Sequence, residues 1–312
     1  MTPARWDWQG ASGPERLKAE LAESGLAWLR APELALAAER DPWTAAERLL
    51  GERPLLLERQ PIRAVLGGRS FSSGSMAAPF HSDSQMFLGV PPHVQVMACQ
   101  RPAEAGGESL YLDTWALLTR VELEEPELLD RLFTTERHFP FVFGDVVGPT
   151  VSLRDGSLVF THTPRPAAHD GVAARLQACL EMTPVIEVRA AAGDLIVIHN
   201  HRLLHGRRAF EDERRCFTRL LVWRHEPWPA PARWTERAEA IHAPPSQHEA
   251  GLAEAEVRRR LGVVMELLRG VPAGVLSTRE QVAEPELYRW RDAALAGAAT
   301  RLSEAGDRVT KG

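Results

Sequence analysis

The sequence predicts a mostly antiparallel β core flanked by helices. Three observations predict it. From about residue 55 to Trp223, short apolar runs alternate with turn-forming pairs such as Gly67-Gly68, Pro91-Pro92, Gly106-Gly107 and Asp155-Gly156. On both sides of that stretch, Ala, Glu and Leu recur at helical spacing. Strands and helices do not alternate regularly, and no G-x-G-x-x-G follows a strand, which disfavours a dinucleotide-binding sheet or a phosphate-loop enzyme.

The elements follow in order. Residues 14–21 come after a Ser12-Gly13 break and space their leucines four apart, so a helix starts there. Residues 25–30 read as a short buried strand, and residues 32–50 as one Ala-, Glu- and Leu-rich helical stretch. Residues 94–99 and 109–112 read as core strands. Residues 114–133 and 171–182 read as helices, with a hairpin between them over residues 152–161 that turns on Asp155-Gly156. Residues 195–198 and 217–223 are the clearest late strands. Beyond Trp223, five prolines (Pro227, Pro229, Pro231, Pro244 and Pro245) mark an irregular linker. Residues 249–269 and 284–305 then read as amphipathic helices.

Composition bounds the function. At about 150 residues per domain, 312 residues allow one large domain or two ordinary ones. Hydrophobic residues at 44% and charged residues at 25% support a sizeable core. Thirty-seven Lys+Arg against 42 Asp+Glu give a net charge of -5, which offers a polyanion no global attraction and disfavours nucleic acid as a partner. Cys99, Cys179 and Cys216 are too far apart for a metal knuckle and too few for a disulfide framework, so they read as incidental thiols. Residues 1–8 have no signal-peptide pattern and no apolar run reaches about 18 residues, so no membrane partner and a cytoplasmic enzyme are expected.

The chemistry lies in the histidines. His81-Ser82-Asp83 is an H-x-D; on a strand, residues two apart point to one face, so an imidazole and a carboxylate can reach one ion. His205, after the strand-like residues 193–198, is the best third ligand. Two histidines and one carboxylate leave three positions open on an octahedral Fe(II), enough for a bidentate co-substrate and dioxygen. An isolated H-x-D is weak. Here it stands with Gly106-Gly107-Glu108-Ser109 and with Arg215 and Arg219, four apart on the final core strand and facing one side. A guanidinium is suited to gripping a carboxylate through two bonds.

With those residues in view, the chain resembles the taurine dioxygenase/clavaminate synthase-like (TauD/TfdA) family of Fe(II)- and 2-oxoglutarate-dependent oxygenases, over roughly residues 65–224. The resemblance implies a double-stranded β-helix (jelly roll) with helical N-terminal and C-terminal extensions. It implies that His81, Asp83 and His205 are the catalytic iron ligands. Ser109 stands where the family usually has a threonine that bonds the far carboxylate of 2-oxoglutarate, and Arg215 matches the arginine that pairs with that carboxylate. Arg219 matches a second arginine, which in several members binds an anionic group of the substrate. The chain departs from the family at His199 and His201, where an acidic residue and an arginine are common around Asn200. The short segment after His205 leaves the roles of Arg215 and Arg219 open to exchange.

The implied reaction is oxidation of an unactivated C–H bond of a small molecule, with 2-oxoglutarate and O2 as co-substrates and hydroxylation as the default. Desaturation and cyclisation remain alternatives, and Asp83 disfavours halogenation. An inward Arg219 favours a small anionic or amino-acid-like substrate, in a setting such as natural-product biosynthesis; a substrate tethered to a carrier protein stays open. A non-catalytic jelly-roll ligand-binding protein is the reading from another class. Because the site residues run from His81 to Arg219, residues 1–312 are expected to form one catalytic domain, with the β core at about 55–224. The helical extension at about 225–312 is read as a lid, a docking face or a homo-oligomer interface.

Overall fold

The computed structural model describes residues 3–65, 68, 70–84, 89–141, 146–164, 170–242 and 254–309. β1 (Trp6–Asp7) leads into α1 (Gly13–Ser24), which has Pro14 in its first turn and stops at Gly25, whose φ of 75° is left-handed. β2 (Leu26–Arg30) follows. The helical stretch expected over residues 32–50 is two helices, α2 (Pro32–Arg40) and α3 (Pro42–Leu50). Pro42 cannot continue α2, and the Asp41 carboxylate caps the new helix by accepting from the Thr44 amide. Pro126 divides residues 114–133 in the same way, into α4 (Thr114–Glu124) and α5 (Pro126–Thr134). α6 (Gly171–Glu181) is the helix expected there.

Three strands follow α3: β3 (Leu56–Arg63), β4 (Ala78–His81) and β5 (Val94–Arg101). Then come β6 (Ser109–Asp113), β7 (Arg137–Phe139) and β8 (Val146–Gly148). β9 (Val151–Arg154) and β10 (Ser157–Phe160) form the hairpin, with Asp155 at φ 46° and Gly156 at φ 71° supplying the two left-handed residues of its turn. β11 (Val185–Val188), β12 (Asp194–His199), β13 (Leu203–Arg207) and β14 (Cys216–Trp223) complete the set.

Ten of these strands make two sheets. The larger runs β1-β2-β12-β5-β14-β3, antiparallel except for the β1–β2 pair. The smaller runs β11-β6-β13-β4 and is antiparallel throughout. Alternation along the strands then sorts the side chains. Val94, Val96 and Ala98 of β5 face α1, α2 and α3 with Leu195, Val197 and Leu220. Cys99, Ile196, Ile198 and Phe217 face the other way and share a cluster with Tyr111 and Leu203 of the smaller sheet, so the two sheets pack face to face. Leu112 and Leu204, on the far side of the smaller sheet, lie against α4, α5, α6 and the hairpin.

The C-terminal region differs from expectation. Part of the stretch read as an irregular linker is α7 (Ala232–His242), and its Trp234 is 1% exposed, packed beside Phe133 in the same cluster as α4 to α6. Pro244 and Pro245 lie outside the described residues. The helix expected from residue 249 is described as α8 (Glu254–Leu268). An unforeseen short helix, α9 (Ala273–Glu280), precedes α10 (Glu284–Val309). Val264, Leu276, Leu287 and Trp290 join these last three helices, and Tyr288 of α10 packs on Val147 of β8. The three cysteines are free, and no helix among the described residues is long and apolar enough to cross a membrane.

Candidate metal centre

β13 lies between β6 and β4, and that position places His205 opposite Tyr111 on one side and His81 on the other. The two imidazole rings come within 4.3 Å, centroid to centroid. Asp83 arrives differently from expectation. β4 ends at His81, so the H-x-D pair does not share a strand face. Instead Asp83 follows in an irregular segment: the Ser82 amide donates to the His162 carbonyl at 3.1 Å, and the Ser82 and Ser84 hydroxyls meet at 3.0 Å. That segment places the Asp83 carboxylate within 3.6 Å of His205 Nε2. His81, Asp83 and His205 thus offer one ligand atom each, all within 4.8 Å of one another, an arrangement that could hold a metal ion.

The protonation states suit a cation. His81 Nδ1 lies 2.8 Å from the Pro79 carbonyl, which can only accept, so Nδ1 carries the hydrogen and Nε2 keeps its lone pair. Burial lowers both histidine pKa values, that of His205 to about 3. Burial alone would raise Asp83, but the groups around it, the Arg219 guanidinium foremost and the Gln95 amide among them, outweigh it and hold the carboxyl below its ordinary value. Neutral imidazoles beside an ionised carboxylate are the forms that bind a metal.

Several donors converge on Asp83. Arg219 Nη1 reaches both carboxylate oxygens at 3.1 and 2.9 Å, and Arg219 Nε donates to Gln60 Oε1 at 3.1 Å. Gln95 Nε2 donates to Asp83 Oδ2 and lies 3.2 Å from His205 Nε2. From the β12–β13 connection, the Asn200 side-chain amide reaches the Asp83 backbone.

These groups open on a cavity of about 880 Å³ that Ser109, Arg215 and Arg219 also line. Arg215 immediately precedes β14, and a register shift between Cys216 and Phe217 separates it from the regular strand that carries Arg219. It is 2% exposed, sits against the rings of Phe217 and Phe210, and has no ion-pair partner among the described residues. Burial, with Arg207 nearby, lowers it to about 10, so it remains charged at neutral pH. The Gly106-Gly107 pair explains its space. Both residues have φ near 70°, and a Cβ on Gly106 would come within 2.2 Å of the Ala209 carbonyl oxygen, while one on Gly107 would come within 3.2 Å of Arg215 Nε.

The structure therefore brings all six candidate residues to one cavity. It adds three that sequence reasoning missed. Gln60 and Gln95 are described above, and Arg207 donates to the carbonyls of Phe71, Gly74 and Met76 along one wall. Gln95 had a signal, as the one polar residue among Val94, Val96, Met97 and Ala98. His199 and His201 are buried but do not line the cavity.

The model of the taurine catabolism dioxygenase TauD, TfdA family matches residues 10–223. The chain belongs to that family. As a TauD/TfdA member it is a non-haem iron oxygenase that uses Fe(II), 2-oxoglutarate and O2. The matched span ends with β14, so α7 to α10 lie beyond it. Two solved structures are similar to this TauD/TfdA-family chain. An asparagine oxygenase in complex with Fe(II), (2S,3S)-3-hydroxyasparagine and succinate is 17% identical, with a TM-score of 0.53 over 67% of this chain and 78% of its own. The non-heme iron oxygenase OrfP in complex with Fe and alpha-ketoglutaric acid is also 17% identical, with a TM-score of 0.50 over 69% and 81%. At such identities they establish a common fold. No curated protein matches the sequence significantly.

Proposed function

We propose that this oxygenase hydroxylates an unactivated C–H bond of a small anionic or amino-acid-like molecule. One observation carries the reading: the three-residue ligand set and an unpaired buried arginine share one cavity. His81, Asp83 and His205 would hold Fe(II). Ser109 and Arg215 would hold the far carboxylate of 2-oxoglutarate. A buried guanidinium without a carboxylate is costly, and that ligand supplies the missing partner. Arg219, at the cavity wall, would meet the anionic group of the substrate. When bound, iron and 2-oxoglutarate couple decarboxylation of the co-substrate to oxidation of the C–H bond. The chain's own task is placement, since the carbon held nearest the metal is the one oxidised. Pockets of about 300–1,000 Å³ take drug-sized ligands, so a cavity of about 880 Å³ has room for co-substrate and substrate together.

We read the two facing sheets as a double-stranded β-helix. Supporting this, β12, β13 and β14 pass alternately between the larger and the smaller sheet.

The test is a substrate panel of amino acids and other small acids, followed by mass spectrometry. Hydroxylation adds roughly 16 mass units, and desaturation removes roughly 2. Asp83→Ala and His205→Ala are each expected to abolish substrate-stimulated succinate formation. Wild-type turnover in both variants refutes the ligand assignment.

A further inference from the structure

Asp83 lies two residues past the end of β4, outside any strand, so no ladder of backbone bonds fixes its side chain. Its carboxylate is held instead from the larger sheet. Gln60 on β3 and Arg219 on β14 are direct cross-strand partners, and β14 also pairs with β5, which carries Gln95. Gln95 faces inward, opposite to Val94 and Val96, and is 2% exposed. Its amide nitrogen bears two hydrogens. One donates to Asp83 Oδ2, and the same nitrogen lies 3.2 Å from His205 Nε2, so a single neutral group touches two of the three ligand side chains. Arg219 bonds both oxygens of Asp83, whereas Gln95 bonds one. Gln95 therefore breaks the symmetry of the carboxylate and selects its rotation about the Cβ–Cγ bond.

We propose that Gln95 is a positioning residue of the metal centre: it sets the rotation of the Asp83 carboxylate and its spacing from His205 before the metal arrives. The inference rests on the reading that His81, Asp83 and His205 hold the metal. Ligands held in place from outside the coordination shell bind more tightly, and removing such support typically costs 10- to 100-fold in metal affinity. A glutamine is suited to the task. It donates without adding charge, so the site keeps one carboxylate for the cation.

The experiment titrates the full-length metal-free protein with Co(II) under anaerobic conditions. Wild type is compared with Gln95→Leu, Gln95→Met and Asp83→Ala. The Met variant matches glutamine in length and flexibility, and so fills the same space where Leu disturbs packing. Both Gln95 variants are expected to bind Co(II) about 10- to 100-fold more weakly and to change its visible absorption spectrum, while melting like wild type. Affinity for 2-oxoglutarate at saturating Co(II) should stay near wild type, because among the described residues the Gln95 side chain bonds Asp83 and His205 rather than Ser109 or Arg215. Wild-type or tighter Co(II) binding with an unchanged spectrum, in either folded variant, overturns the proposal. Asp83→Ala keeps Gln95 intact. If that variant binds Co(II) as tightly as wild type, the ligand assignment fails and this inference falls with it.

Discussion

The Asn200 side-chain amide donates to the Asp83 backbone carbonyl at 2.9 Å, and the same nitrogen lies 2.8 Å from the Pro92 carbonyl. One buried residue thus ties the segment that carries Asp83 to the residues just before β5. Asn200→Ala leaves two buried carbonyls without that donor, at about 1–3 kcal/mol for each group left unsatisfied. Urea denaturation should show a loss of about 2–6 kcal/mol for the two groups together, and Co(II) affinity should fall with it. An unchanged midpoint and unchanged affinity would remove the bracing role.

Arg215 and Arg219 differ in their partners, and their variants should differ too. Arg215→Leu removes the unpaired guanidinium. With charge-assisted bonds worth about 1.5–3 kcal/mol, the KM for 2-oxoglutarate should rise about 10- to 150-fold. Arg219→Ala should raise the KM for substrate more than that for 2-oxoglutarate. Steady-state kinetics on both variants checks this, and the reverse pattern exchanges the two roles.

Acid should destabilise the fold through three histidines remote from the cavity. The His93 ring lies 4.9 Å from that of His201, and His199 lies 5.8 Å from His201, beside Trp115 and Trp228. Their charged neighbours are Arg224, facing His93 and His199, and Arg202, facing His199. Burial lowers all three pKa values, His93 to about 2, His201 to about 4, and His199 well below the ordinary value. The folded state therefore holds neutral rings. Their contribution is complete above the unfolded value of about 6.5 and is lost as pH falls through it, by up to about 1.4 kcal/mol per pH unit for each ring. Urea midpoints between about pH 7 and pH 5 measure the slope, and His199→Phe should flatten it by one ring's share. A parallel slope in that variant would exclude His199 as a source.

Trp234 is the anchor of α7. Trp234→Ala should cost about 3–5 kcal/mol, the range for removing a large buried aromatic side chain. Thermal or urea unfolding measures it. A cost below about 1 kcal/mol would mean that α7 contributes little to the core.

The strands were legible where pattern and punctuation agreed. Val94 to Cys99 and Phe217 to Trp223 are apolar runs bounded by turns, and both are central strands of the larger sheet. Pro42 and Pro126 were visible as residues but not as breaks, because proline also fits the first turn of a helix that continues the same apolar face. α7 hid among Pro227, Pro229 and Pro231, since Trp234 becomes helical through burial against α5 rather than through propensity. At the site, the H-x-D spacing and the arginine pair were readable as motifs. The end of β4 at His81 was not, because the bonds of Ser82 to His162 link residues far apart in the chain. Gln60 and Gln95 needed the register of β3, β14 and β5 before their shared target could appear.

The position of β13 between β4 and β6 also bears on how the protein reaches its native state. Both neighbours are made long before β13 during synthesis, so the centre closes only when a late strand inserts between two earlier ones. Such long-range pairing is slow to form. A nascent or partly folded chain that lacks this strand lacks His205 and so does not carry the complete three-residue set. Conversely, ligands that bind only the finished centre draw the folding equilibrium toward it by mass action. Metal and co-substrate, if bound at that centre, then stabilise the strand order that forms it.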